Sequence, residues 1–76
     1  MKLTVVTMDG SLFEGTADEV ILPGASGGLG IRKGHAPLVV LLKQGEVVAI
    51  HGQSREAIPT SSGIASITSQ EVTIYV

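Results

Sequence analysis

Apolar and polar residues alternate along most of the chain in short stretches. The stretches are rich in valine, isoleucine, threonine and leucine, and glycine, proline, aspartate and serine separate them at short intervals. Alternation with a period of two indicates strands, and the distance between turn signals leaves no room for a typical helix. The pattern predicts strands at 2–7, 11–14, 17–22, 29–32, 37–42, 46–51, 54–58, 63–67 and 71–76.

These strands predict an all-β fold. Many short strands at close, regular spacing are typical of a sandwich or a barrel. The chain has 76 residues, which is the size of one small domain with a limited core. We therefore expect residues 1–76 to form a single β domain.

Three predicted strands are apolar at consecutive positions, so that both of their faces are apolar. They are Val20–Leu22, Pro37–Leu42 and Val47–Ile50. One apolar face suffices to fill a core, and the second face is either covered within the sandwich or available to a partner. Three such strands in so short a chain favour a partner interface.

Composition and charge exclude several classes of protein. The formal net charge is −2 with scattered charges, and Phe13 and Tyr75 are the only aromatic residues, so we expect no nucleic-acid partner. The absence of cysteine excludes disulfides and thiol chemistry. The longest apolar run, Pro37–Leu42, is too short to cross a bilayer as a helix. The N-terminal stretch is too short and polar for a signal peptide, which predicts a protein on the cytosolic side.

No motif for catalysis, cofactor binding or metal binding is present. The glycine-rich stretch Leu22–Gly34 follows a strand, but Lys33 precedes Gly34 and no helix follows, so neither phosphate-binding pattern fits. His35 and His51 lack nearby ligand partners, and we expect His35 to be a turn residue whose ring contacts the backbone. The adjacent carboxylates of Asp18–Glu19 are expected to point in opposite directions. We expect neither an enzyme nor a bound cofactor.

The segment Leu22–Leu38 reads LPGASGGLGIRKGHAPL. It resembles the signature of the ε subunit of F-type ATP synthases, which is called δ in mitochondria. The segments Thr7–Gly15, Lys43–Val47, Ser62–Ala65 and Val72–Ile74 agree with the family in order and spacing. The resemblance therefore covers essentially the whole chain.

The resemblance implies a flattened β-sandwich of about ten short, mostly antiparallel strands. It also implies a non-catalytic subunit of the central stalk, or rotor, that couples the γ subunit to the c-ring during ATP synthesis driven by ion translocation. Such a subunit lies on the cytoplasmic face of the bacterial inner membrane, or the equivalent face in organelles, as part of the complex. The alternative is a stand-alone β-sandwich module that binds a protein or another ligand. That alternative normally shows a surface cluster of Tyr, Trp or Arg, which this sequence lacks.

The partner-binding residues follow from the same resemblance. The glycine-rich loop and the turn after it resemble the parts of the family that face the c-ring and γ, whereas the start of the following strand and the end of the first strand resemble the γ-facing surface. The residues concerned are Thr7, Ala25, Ser26, Gly27, Gly28, Leu29, Gly34, His35, Ala36, Pro37, Leu38 and Val40.

Two departures from the family change the expectations. Family members commonly carry acidic residues where Ser26 and Gly28 stand, so a neutral loop predicts contact through backbone and shape with weak salt dependence. The family usually continues into a C-terminal helical hairpin, whereas this sequence ends at Val76, so we expect neither inhibition by that hairpin nor nucleotide binding. We also expect Gly30→Val to be damaging through the backbone, provided that this position needs a positive φ or a close strand approach.

Overall fold

The computed structural model describes residues 1–76 and contains nine strands and no helix. Each strand begins or ends within a few residues of its predicted bounds, and the all-β prediction is confirmed. No segment forms a helix of the length and apolar character that crossing a bilayer would need. The strands are β1 (Lys2–Thr7), β2 (Gly10–Thr16), β3 (Glu19–Gly24), β4 (Gly27–Arg32), β5 (Leu38–Leu42), β6 (Gly45–His51), β7 (Ser54–Thr60), β8 (Gly63–Ile67) and β9 (Glu71–Tyr75).

The strands form one continuous sheet that folds over to make two layers. Its order is β2-β1-β9-β8-β5-β3-β6-β7, and β4 pairs with the free side of β3. All pairs are antiparallel except β1 with β9. The layers β2-β1-β9-β8-β5 and β4-β3-β6-β7 are joined by a single residue pair, Gly24 with Leu42. This topology is a sandwich close to a barrel.

The core lies between the two layers and consists of one cluster of apolar side chains. Strand alternation supplies most of it, since buried residues alternate with less buried ones along β1, β3, β6 and β9. Met1, Phe13, Leu29, Val40 and Val76 are partly buried against its margin. The fully buried large side chains are Leu3, Val5, Val20, Leu22, Ile31, Val47, Ile67, Val72 and Ile74, with Ile67 alone showing a trace of exposure.

Glycine is required in this fold at two positions where strands approach closely. A Cβ at Gly24 would lie 2.5 Å from the carbonyl oxygen of Gly27, and a Cβ at Gly63 would overlap the carbonyl oxygen of Tyr75. Gly30 does not have a positive φ, and a Cβ there would meet only the end of the flexible Glu19 side chain. Neither condition for a damaging Gly30→Val substitution is therefore met, because Gly30 lies in ordinary extended backbone.

The three strands that are apolar on both faces differ in what covers their outer faces. In β5, the outward side chains of Val39 and Leu41 are 69% and 64% exposed. In β3 and β6, Ile21 lies opposite Val48 and both are half-buried. The expectation of a second, accessible apolar face therefore holds most clearly for β5.

Candidate partner-binding surface

The register of the strands divides the molecule into two ends. Gly24 pairs with Leu42, Leu42 with Gly63, and Ile64 with Tyr75, so these residues and the turns beside them share one end. We call it the hairpin end; its turns are residues 8–9, 25–26, 43–44 and 61–62. At the opposite end, which we call the charged end, the turns are residues 17–18, 33–37, 52–53 and 68–70.

The predicted partner-binding residues divide between these two ends. The glycine loop at Ala25–Leu29 and Thr7 lie at the hairpin end, whereas Gly34–Pro37 lies at the charged end. Leu38 begins β5 at the charged end and Val40 lies in the middle of that strand. A strand of five residues is about 17 Å long, so the two groups are separated by roughly that distance. The structure does not bring the predicted residues into one patch.

The glycine-rich loop is the tip of a β-hairpin. Strands β3 and β4 are joined by the two-residue turn Ala25–Ser26, and Gly27, with a φ of 136°, allows the tight connection. The hairpin is fixed to β5 because the Ala25 amide donates to the carbonyl of Leu41, 2.9 Å away. The carbonyl of Pro23 accepts from the Lys43 amide at 2.9 Å. The interpretation of this segment as a structural loop agrees with its geometry.

An open groove with a volume of about 430 Å³ runs beside this hairpin. One wall is formed by Gly24–Leu29 and the other by Val39–Leu41 of β5. None of these residues carries a charge, so the groove offers apolar side chains, backbone groups and the hydroxyl of Ser26. Ala25–Leu29 and Val40, all predicted from the sequence, are therefore brought together here.

The two faces of β5 differ sharply in exposure. The side chains that point toward the opposite layer are Leu38, Val40 and Leu42. Leu38 is exposed, Val40 is half-buried and Leu42 is buried. Val39 and Leu41 point outward and are the most exposed residues of the strand. The sequence predicts contact at Leu38 and Val40, whereas the side chains most exposed on this strand are those of Val39 and Leu41. Because β5 is apolar at every position, its alternation gives no signal for which residues face outward.

The outward face of the β1-β9-β8-β5 layer carries an apolar row across the hairpin end. Register places Val6 opposite Tyr75, Tyr75 opposite Ile64, and Ile64 opposite Leu41. Residues directly opposite one another in a sheet share a face, so these four side chains form a row about 14 Å long. Three of them, Leu41, Ile64 and Tyr75, are exposed. We call these four residues the apolar row.

A second row, made of three small polar residues and Val39, runs beside the apolar row. Thr4 lies opposite Thr73, Thr73 opposite Ser66, and Ser66 opposite Val39. The next pair along the same face is Lys2 with Glu71. The face therefore changes from apolar at the hairpin end to charged at the opposite end.

Hydrogen bonds hold the turn at residues 33–37 to the neighbouring turn at residues 68–70 and to the end of β4. The Gly34 amide donates to the carbonyl of Ser69 at 2.9 Å, and the His35 amide donates to the carbonyl of Arg32 at 3.1 Å. The half-buried His35 ring donates through Nδ1 to the carbonyl oxygen of Ala36, 2.7 Å away. The expectation that this ring contacts backbone groups is confirmed.

The carboxylates at the charged end hold separate structural contacts. Asp18 Oδ2 accepts from the Gly52 amide at 2.6 Å, and Asp18 Oδ1 lies 3.9 Å from His51 Nδ1. Glu19 accepts from the Arg32 guanidinium at 3.4 Å. The two carboxylates thus diverge as expected, and no group of three His, Asp or Glu side chains lies close enough together to hold a metal ion.

Fold and surface together define a class of protein: a small β-sandwich with an uncharged hairpin tip and an exposed apolar row at one end. Comparison with known proteins gives the family. The chain belongs to the family described as the β-sandwich domain of the ATP synthase delta/epsilon chain, whose model matches residues 1–76. The resemblance noted in the sequence is confirmed.

Curated relatives are similar over nearly the whole of this chain. The ATP synthase epsilon chain of Acidithiobacillus ferridurans is 43% identical over 97% of this chain and 52% of its own length. The epsilon chain of Nostoc punctiforme is 40% identical over 100% of this chain and 57% of its own length. Epsilon chain 2 of Nitrobacter hamburgensis is 38% identical over 96% of this chain and 54% of its own length. The chain spans just over half the length of these relatives.

Two solved structures have a similar fold. A chain in the Euglena gracilis mitochondrial ATP synthase OSCP/F1/c-ring structure superposes with a TM-score of 0.88 at 21% identity, covering 97% of this chain and 48% of that one. A chain in the Tetrahymena thermophila mitochondrial ATP synthase central stalk/c-ring structure superposes with a TM-score of 0.73 at 13% identity, covering 100% of this chain and 63% of that one. At these low sequence identities the comparison shows a shared fold alone.

Proposed function

We propose that this chain is a non-catalytic module of the central stalk of an F-type ATP synthase, where it joins the γ subunit to the c-ring and turns with both. The observation that carries the proposal is the exposed apolar row on a domain of the epsilon family. Exposed apolar residues in a contiguous patch mark protein–protein contact surfaces. A domain that couples two parts of a rotor needs a complementary shape and a stable contact surface, and it needs no catalytic group.

Two separate contact regions suit a connecting piece. We assign the tip Ala25–Leu29 to the c-ring. We assign to γ the surface that includes Thr7 and the apolar row, together with Leu38 and the turn Gly34–Pro37, whereas the side chain of Val40 packs against the core. The main support for the γ assignment is continuity, since Thr7 adjoins Val6 of the row, and Val39 and Leu41 are exposed in the strand that Leu38 begins.

The proposal includes the location and the chemistry of the assembled protein. The chain lies at the membrane through its complex, on the face where the catalytic head stands, which is the cytoplasmic face in bacteria. It binds no nucleotide or other cofactor by itself and has no nucleic-acid partner. Its contribution to ATP synthesis is the transmission of torque.

Titration calorimetry of this chain with the purified cognate γ subunit tests the proposal. We expect one-to-one binding with a negative heat-capacity change, because apolar surface is removed from water. The matched control is the Arg55→Ala variant, altered on the outer strand β7 at the charged end, which should bind γ as the unchanged chain does. Failure of the folded chain to bind γ would contradict the proposal.

A further inference from the structure

Strands that are paired on one side only present unpaired backbone groups, and three such edges occur here: β2, β4 and β7. Native proteins protect such edges with bulges, proline or charged side chains. The pairing of β2 has an irregular register between Val5 and Val6, and β7 carries Pro59 and the charged Arg55 and Glu56. The first part of β4, Gly27–Gly30, has none of these features.

The hydrogen-bond pattern identifies which groups of β4 are free. In antiparallel pairs, residues alternate between those that bond to the partner strand and those that point away from it. The pair Gly24–Gly27 closes the two-residue turn and is therefore hydrogen-bonded. The next pair is Pro23 with Gly28, so the backbone groups of Gly28 point away from β3. The bond from the Lys43 amide to the Pro23 carbonyl agrees with this, because it shows that Pro23 points away from β4. By the same alternation Gly30 also points away from β3.

Gly28 and Gly30 therefore offer amide and carbonyl groups to the outside. They lie about 7 Å apart along the strand, which is the repeat at which an added strand forms its bonds. Both residues are exposed, and a Cβ at Gly28 would meet nothing within 4 Å. At Gly30 the end of the flexible Glu19 side chain lies 3.0 Å from the position of a Cβ, which projects from the face of the strand and not from its edge. Recognition at Gly28 therefore depends on backbone groups and shape.

We infer that the outer edge of β4 binds a short extended main-chain segment from a loop of the c-ring, with Gly28 and Gly30 as the pairing residues. This inference rests on the proposed function for the choice of the ring. The chemistry of the edge indicates what kind of segment it binds, since unpaired amide and carbonyl groups at strand spacing bind another extended backbone. Contact through main-chain groups does not depend on charged side chains, so the affinity for the ring changes little with salt.

Amide hydrogen exchange tests the inference on the unchanged chain. The chain is compared free, bound to γ, and bound to γ and detergent-solubilised c-ring. We expect exchange at Gly28 and Gly30 to slow by about tenfold or more only when the ring is added, because each amide then gains a hydrogen-bond acceptor. Slowing that is complete with γ alone would overturn the assignment to the ring.

Substitutions at Gly28 provide the second test. Gly28→Pro removes the outward amide without removing a bond to β3, and Gly28→Ala keeps the amide as the matched control. We expect the complex of chain and γ to bind the ring about tenfold more weakly with proline and within about twofold of normal with alanine. If proline prevents folding, the exchange experiment decides. If the chain binds γ and the ring but Gly28 and Gly30 stay unprotected, only this inference is lost; if it binds neither, the proposed function is lost as well.

Discussion

The hairpin end and the charged end of this domain are stabilised by different interactions. At the hairpin end, strands meet through glycine at Gly24 and Gly63, and an apolar row lies in solvent. At the charged end, exposed side chains form single contacts such as Arg32 with Glu19 and Asp18 with Gly52. Close packing leaves little tolerance for added volume, whereas exposed ion pairs contribute little to stability. Substitutions should therefore have much larger effects at the hairpin end.

The largest effect is expected from Gly63→Ala. The new Cβ would overlap the carbonyl oxygen of Tyr75, so strands β8 and β9 must separate. We expect the free energy of unfolding to fall by about 3 kcal/mol, measured by urea denaturation. The matched control is Gly52→Ala at the charged end, where the Cβ has open space but φ is +61°. It should cost about 1 kcal/mol; equal effects at the two positions would remove the distinction between the ends.

The pair Val40→Asp and Leu41→Asp separates the two faces of β5. Val40 packs against the core, so aspartate there should lower the free energy of unfolding by about 2 kcal/mol. Leu41 points into solvent, so aspartate should leave stability within about 0.5 kcal/mol and weaken γ binding by tenfold or more, about 1.4 kcal/mol. Thermal melting and calorimetry measure these quantities. Unchanged γ binding by a folded Leu41→Asp chain would exclude the apolar row from the interface.

Thr60→Val should increase stability. The Thr60 hydroxyl at the hairpin end is buried and has no hydrogen-bond partner. Valine has nearly the same shape without the polar group, so we expect a gain of about 1 kcal/mol in the free energy of unfolding. Loss of stability would mean that the hydroxyl has a partner, for example an ordered water. Thr73→Val, on the partly exposed outer face, is the matched control and should change stability less.

The smallest effect is expected from Arg32→Ala at the charged end. The Arg32 side chain is 78% exposed, and its contact with Glu19 is long at 3.4 Å. Exposed ion pairs of this kind contribute less than about 0.5 kcal/mol. Urea denaturation at low and high salt measures the contribution. A loss above 1 kcal/mol that disappears in high salt would show that electrostatics at this end matter more than we expect.

The fold was predictable from the sequence because both of its signals are local. Period-two alternation in β1 and β9, together with glycine-containing turns, gives the strands almost to the residue. The pairing of β5 with β8 and of β3 with β6, and the parallel pairing of β1 with β9, depend on contacts between distant segments. No local pattern encodes them.

The candidate contact surface was only partly predictable. The hairpin at Ala25–Leu29 carries a recognisable motif, so the resemblance identified it as a candidate. The apolar row was not predicted because its members come from four strands and become neighbours only through register. In β5 the uniformly apolar sequence also hides the difference between Val40 and Leu41. Sequence patterns thus located the elements, whereas the surface required the three-dimensional arrangement.

The most direct test of the central claim is a nuclear magnetic resonance map of this chain, labelled with nitrogen-15, during titration with γ. We expect the main-chain amide signals of Val6, Leu41, Ile64 and Tyr75 to shift or broaden on binding. The amides of Gly52 and Arg55, at the tip of the charged end, should stay unchanged. Changes confined to Gly52 and Arg55, or the absence of any change in the apolar row when γ binds, would contradict the claim that the apolar row forms the contact with γ.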